Sequence, residues 1–297
     1  MTGRVLVVGD LVTDVVAVPS GPLVEGTDTA TAISLTGGGA GANTAAWLVH
    51  AGRATTLVAA VGTDPAGEQR VAELRSAGVE CAVARYPGVT GTVVVIASRA
   101  ERTMLCDRGA NAMLRPRDVA AALRQATDAV HLHLSGYPLF DRRSRPAARH
   151  ALTAARRAGL TTSVDAASAA PLRQVGGSVF LDWVRGTDLL FANRDEAAVL
   201  VGERTDTDLV REFARYAGAG VVKLGGYGAI WASGTGQAVS APAASIQAVD
   251  VTGAGDAFAA GALAAWLAGQ PSAEVLAAGN RLGADAVSRV GARPPER

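Results

Sequence analysis

The segment Asp250-Val-Thr-Gly-Ala-Gly-Asp256 carries an acid at each end of a stretch of small residues and runs straight into the alanine-rich Ala257 to Trp266. Small residues let a backbone turn tightly into a helix, which leaves the first-turn N–H groups of Gly253, Ala254 and Gly255 without intrahelical acceptors. Such amides, at the positive end of a helix dipole, make an anion hole suited to a phosphoryl group whose charge spreads over its oxygens in transfer. Asp256 would stand beside that anion, where a carboxylate can take a proton from an attacking hydroxyl. The competing reading is that Thr252 or Asp256 merely caps a buried helix. Two glycines around Ala254 exceed what a cap requires.

A second segment, Gly37-Gly-Gly-Ala-Gly-Ala-Asn43, opens another helical run. Its glycines permit a ligand to approach the backbone, and Asn43 offers both a donor and an acceptor to polyol hydroxyls. A dinucleotide-binding turn matches the glycines in part. It fails on context: Ile33 to Thr36 is a weak strand, and no acid ends a following strand at Leu57 to Val61. Lys223 is the single lysine among 28 cationic residues, and no G-x-x-x-x-G-K-[ST] loop surrounds it. Phosphates would then be handled by backbone amides, arginine and a metal ion.

These residues need rigid elements beneath them, and the pattern supplies an α/β alternation. Apolar runs at Arg4 to Gly9, Thr55 to Val61, Ala129 to Leu134, Leu160 to Asp165, Asp188 to Ala192 and Gly220 to Leu224 alternate with helical stretches at Gly67 to Ala77, Ser144 to Ala158 and Arg194 to Val201. Fully apolar strands predict a sheet covered on both faces. Two helix-poor regions, about 11–36 and 90–106, break the alternation near the glycine-rich motifs. They read either as a small separate sheet placed as a lid over a site or as two surface hairpins. A separate sheet has edges and an apolar face that need cover, so a homodimer through the lid is expected.

With 28 Lys+Arg against 27 Asp+Glu the formal charge is +1, and a polyanionic partner such as nucleic acid is not implied. No uncharged stretch is apolar enough for a membrane span, and the N-terminus enters a strand without a signal-peptide pattern. Cys81 and Cys106 show no metal spacing and no disulfide framework, which fits the cytoplasm. His131 and His133 have no acidic or cysteine partner at metal spacing and read as structural. Arg142, Arg143, Arg145 and Arg149 read as a solvated face, and the tail from Arg293 as frayed.

Gly38-Gly39, Gly41 and Asn43, with Ala45, Gly52 and Gly62, and separately Asp250 to Asp256 with Ala260-Gly261, resemble the two signatures of the PfkB, or ribokinase-like, carbohydrate kinases. Gly62-Thr-Asp64-Pro-Ala-Gly67, Asn193-Arg-Asp-Glu196 and Lys223-Leu-Gly-Gly-Tyr-Gly228 agree in order. The resemblance implies a ribokinase-like three-layer α/β/α sandwich with a small β-sheet lid, as one domain over 1–297, that phosphorylates a sugar-like hydroxyl with ATP and Mg²⁺. Asp256 would be the base and Gly253, Ala254 and Gly255 the anion hole. Asp14, Gly39 and Asn43 would hold the acceptor. Asn193, Lys223, Gly225, Gly228 and Asn280 would line the nucleotide pocket. Glu196 would place Mg²⁺ through water, and Asp250 would help bind a monovalent cation such as K⁺.

Ribokinases carry other residues where this chain has Val12, Ala40 and Ser135-Gly136, so ribose is not the expected acceptor. Glu101-Arg-Thr-Met-Leu resembles the sugar-acid kinases of the family, in which an arginine at the position of Arg102 would pair with a carboxylate. A nucleoside kinase of the same fold, a non-catalytic sugar sensor and a nicotinamide oxidoreductase are the competing functions.

Overall fold

The computed structural model describes residues 3–97, 102–234 and 236–295. The turn expected at 98–101 and the last two residues of the tail lie outside the described residues. So does the side chain of Arg102.

The chain runs β1 Arg4–Val8, β2 Val12–Pro19, β3 Thr31–Gly38, α1 Ala40–His50, β4 Thr55–Gly62, α2 Pro65–Ser76, β5 Glu80–Tyr86, β6 Thr90–Ala97 and β7 Arg102–Gly109. It continues α3 Pro116–Gln125, β8 Ala129–Ser135, α4 Tyr137–Phe140, α5 Arg145–Arg157, β9 Thr161–Asp165, α6 Ala169–Val175, α7 Gly177–Val184, β10 Thr187–Asn193 and α8 Arg194–Val201. It ends α9 Asp206–Phe213, β11 Ala217–Lys223, β12 Ala229–Ser233, β13 Val239–Ala241, α10 Ala254–Leu267 and α11 Ser272–Val287.

Nine strands form one sheet in the order β13-β12-β11-β10-β9-β8-β1-β4-β5. It is parallel from β11 to β5, and β12 and β13 join antiparallel. Alternation along β1 divides the core: Leu6 and Val8 pack with Val119, Leu152, Phe180 and Phe213 on one face. Val5 and Val7 pack with Trp47, Leu74, Leu263 and Leu276 on the other. Each such fully buried side chain contributes about 1.5–3 kcal/mol, so both helix layers are held by the sheet between them. This is the expected three-layer sandwich.

The two helix-poor regions form a separate sheet of order β3-β2-β6-β7 rather than surface hairpins. Its roots are pinned by side chains. Asn111 accepts from the Gly91 amide at 2.7 Å and donates to the Leu11 carbonyl at 2.6 Å, joining the starts of β6 and β2. Asp64 caps α2 through the Gly67 amide and accepts from the Thr90 amide at 3.1 Å. Gly39, where β3 turns into α1, has φ 98°, and a Cβ there would lie 2.3 Å from the Asp10 carbonyl oxygen. The crossing from small sheet to sandwich therefore admits no side chain.

The tail is not frayed at its start, where Arg293 donates to the Gly38 carbonyl at 3.1 Å and pairs with Glu73. Just ahead of it, Trp47 Nε1 donates to the Ala292 carbonyl at 2.9 Å, and the Gly291 amide donates to Asp250 at 3.0 Å. Nor are the Arg142–Arg149 cations uniformly solvated, since Arg145 lies over the Trp183 ring at 4.3 Å and donates to the Leu139 and Phe140 carbonyls. His131 and His133 are buried and hydrogen-bonded to Thr161 and Ser163. Burial pushes their pKa values down to about 3 and about 4, as structural, neutral rings require.

Candidate active site

The carboxyl ends of β1, β9, β10 and β11 open, together with the inner face of the small sheet, onto a cleft of about 1200 Å³. Ligands of open α/β sheets bind at such strand ends. Asp14, Gly39 and Asn43 line one end, beside the inward-facing Val93, Val95 and Met104. Asn193, Glu196, Lys223, Gly225, Gly228 and Asn280 line the other, and Gly253 to Asp256 lie between. The sequence thus scattered one cleft over more than 260 residues. Asp250 does not line it, and Arg102 cannot be placed within it.

Helix α10 begins at Ala254, three residues before the apolar run suggests, with Gly253 as its N-cap in the left-handed conformation. No side chain caps it. The Ala254 amide points back to the Val251 carbonyl at 3.4 Å. The Ala254 amide is thereby engaged, and helix geometry leaves the next first-turn amides, those of Gly255 and Asp256, without intrahelical acceptors. Thr252 donates its hydroxyl to Asp250, not to the helix. The Asp256 carboxylate accepts from Asn43 Nδ2 at 2.9 Å, so neither residue serves as the cap that was the competing reading.

Burial pushes the Asp256 pKa up to about 7; the Asn43 hydrogen bond opposes this and Asp165 adds to it. Asp14 rises to about 6, again by burial, with Arg293 and Arg70 opposing.

Asn193 and Glu196 form a reciprocal capping box at the start of α8: each side chain accepts from the other residue's backbone N–H at 2.8 Å, and Asn193 Nδ2 donates to Glu196 Oε1. Burial lifts the Glu196 carboxyl to about 7, against the pull of Lys223. Lys223 Nζ donates to Asp165 Oδ2 at 2.6 Å. Burial alone would lower the pKa of this ammonium, but Asp165 and Glu196 raise it. Asn280 spends its amide on the Ala241 and Pro242 carbonyls and so fixes that wall of the cleft. The Asp250 oxygens accept from the Thr252 amide and hydroxyl and from Gly291, which braces the loop ahead of α10.

Two arginines to which the sequence reading gave no role in the site stand against it. Arg293 donates to the Gly38 carbonyl at 3.1 Å, points Nε at Asn43 Oδ1 and pairs with Glu73, supporting the acceptor end from behind. Burial lowers its pKa to about 10. Arg108 on β7 pairs with Asp10 at 2.8 Å and donates to the Tyr137 carbonyl, tying the small sheet to the sandwich. Arg293 reaches Asn43 and Gly38 across 250 and 255 positions, and Arg108 reaches Asp10 across 98.

The chain is 33% identical over 86% of its length to the ATP-dependent ribose-1-phosphate kinase of Halopiger xanaduensis, covering 82% of that protein. It is 30% identical over 89% of its length to the fructokinase of Klebsiella pneumoniae, covering 84% of it. Among solved structures, the adenosine kinase of Sinorhizobium meliloti superposes with a TM-score of 0.88 at 24% identity, over 99% of this chain and 96% of that one. The profile of the pfkB family carbohydrate kinases matches residues 2–297, so this chain belongs to that family.

Proposed function

We propose that this protein transfers the γ-phosphoryl group of ATP to a hydroxyl of a sugar-like acceptor, with Asp256 as the general base. One observation carries the reading: a buried carboxylate held by Asn43 stands in the first turn of a helix whose start, Gly253 to Asp256, lines the middle of the cleft. Asp14, Gly39 and Asn43 would hold and orient the acceptor hydroxyl. Asp256 would receive its proton as oxygen attacks phosphorus, and the first-turn amides of α10 would take up the charge on the phosphoryl oxygens. The small sheet would act as a lid on a single domain, excluding water from the transfer.

Glu196 suits Mg²⁺, which favours one or two carboxylates and completes its shell with phosphate oxygens and water. When bound, the ion would neutralise charge on the ATP phosphates. Excess chelator is expected to abolish ATP consumption, and undiminished turnover would remove Glu196 from this role. A monovalent cation at Asp250 would share a carboxylate already braced by Thr252 and Gly291. Faster turnover in KCl than in NaCl of equal ionic strength supports it, and equal turnover leaves Asp250 as the brace alone.

Among the described residues the acceptor end carries Asp10, Asp14, Asp107 and Asp141, with Arg108 on Asp10, Arg143 on Asp141 and Arg293 near Asp14, so polyols and sugar acids both belong in the test. The apolar strip Val93, Val95 and Met104 suits a nucleoside base as the second reading. ATP consumption should be measured with pentoses, hexoses, ribose 1-phosphate, sugar acids and nucleosides. Stimulation by a member of the panel is expected, and stimulation by none would overturn the kinase reading.

We also propose a homodimer through the lid. On the face of the small sheet turned away from the cleft, Ile33, Leu35 and Leu105 are 64%, 66% and 58% exposed, and the register sets them beside Val15, Ala17 and Val94. A dimer is expected by sedimentation at micromolar protein, and a monomer with Leu35→Glu and Leu105→Glu together; a monomeric wild type would end the idea. No helix among the described residues is long and apolar enough to cross a membrane. We assign the protein to the cytoplasm, where ATP is available and the free Cys81 and Cys106 would stay reduced.

A further inference from the structure

Lys223, the single lysine of the chain, ends β11 in register with Asn193. Its side chain is 13% exposed, lines the cleft and donates to Asp165. It also stands against the first turn of α10, because a Cβ built on Gly255 would lie 3.2 Å from Nζ. Gly255 thus leaves room for an ammonium at the anion hole, 32 positions away in sequence. An ammonium has three donors, and Asp165 engages one of them.

We propose that Lys223 is the cation of the phosphoryl transfer, a catalytic residue that contacts the oxygens of the moving group; this rests on the kinase reading above. As the acceptor oxygen bonds to the γ-phosphorus, the bond from phosphorus to the bridging oxygen breaks and its electron pair leaves on the β-phosphate of ADP. The acceptor proton passes to Asp256. Lys223 keeps its proton throughout and stabilises charge that grows on the phosphoryl and bridging oxygens, beside the Gly255 and Asp256 amides. A fixed charged donor in a water-poor site does this without reorganisation at the moment of reaction. Asp165 holds the ammonium in place while no phosphate is present.

The rival role is a buried ion pair that serves only the fold. Removing one partner of such a pair strands a buried charge, whereas replacing both with apolar groups is often harmless. Lys223→Met is expected to lower both melting temperature and kcat, the latter by roughly 10²–10³-fold as for loss of one transition-state donor. Lys223→Met with Asp165→Asn, which removes the stranded charge and keeps the Oδ1 acceptor of the Ala167 amide, should restore most of the melting temperature but not turnover. Recovery of turnover in the double variant to within about tenfold of wild type, the spread of ordinary structural perturbation at about 1.4 kcal/mol, would overturn the proposal. A binding measurement separates its failure from failure of the kinase reading. By calorimetry, Lys223→Met should weaken ATP more than ADP, because only ATP carries the group that Lys223 contacts. If no acceptor is turned over by the wild type, the kinase reading fails by itself, and equal weakening of the two nucleotides overturns the role of Lys223.

Discussion

Asp256→Asn is expected to lower kcat by roughly 10²–10⁴-fold, the range for loss of a positioned general base. Asparagine keeps the shape and can still accept the Asn43 hydrogen bond, so the apparent affinities for ATP and acceptor should change little. The pH profile gives an independent check. As the proposed base Asp256 must be a carboxylate, and burial pushes its pKa up to about 7. Wild-type kcat/KM should therefore fall at least tenfold per pH unit below that value, with Glu196 and Asp14 steepening the same limb, and the limb should be shallower by one proton in the variant. Asp165, Lys223 and Asp14 are the other charged groups acting on this carboxylate, so Asp165→Asn should move the limb to lower pH.

Stability has the opposite sign from that of a cap. Burial raises the Asp256 pKa above the ordinary carboxylate value of about 4, so ionising it costs stability as pH rises from about 4 to about 7, and the cost stays constant above that. Asp256→Asn should melt no lower than wild type at pH 8, with the difference closing toward pH 4. A helix cap would lose stability instead and keep its turnover. Near wild-type kcat in the variant would remove Asp256 as the base.

What could be read from the sequence followed the range over which each signal acts. Helix α8 appears over the expected Arg194 to Val201 because Asn193 and Glu196 write its start within four residues. The small sheet was legible because β-branched runs without intervening helix leave few other options. β11 starts at Ala217 rather than Gly220, since Ala and Gly carry little strand signal although the ladder with β10 extends through them. The edge strand β5, Glu80–Tyr86, is half-buried and mixed in polarity, and it escaped notice. In the site, the short motifs were visible as motifs. The neighbours that tune them were not: Lys223 reaches Gly255, Arg293 reaches Gly38, and the Gly291 amide reaches Asp250 only through the packing of the sandwich.

Gly253→Ala should nearly abolish turnover and also destabilise the fold. Gly253 has φ 75°, a conformation that costs an L-residue about 1–2 kcal/mol. A Cβ there would lie 2.5 Å from the Ala292 carbonyl oxygen and 2.7 Å from its Cα, which are backbone atoms with no rotamer to change. That carbonyl already accepts from Trp47 Nε1, and Trp47 is fully buried, so the tail cannot retreat without breaking a buried hydrogen bond. The strain should instead displace the start of α10 and with it the Gly255 and Asp256 amides, for a loss of roughly 10²–10³-fold in kcat. Gly269 supplies the control: its φ is 78° and nothing lies within 4 Å of its Cβ position, beyond the end of α10. Gly269→Ala should show the backbone cost alone, with turnover unchanged. The difference between the two variants isolates the contact with Ala292, and Gly253→Ala turning over as fast as Gly269→Ala would mean that this loop does not hold the phosphoryl group.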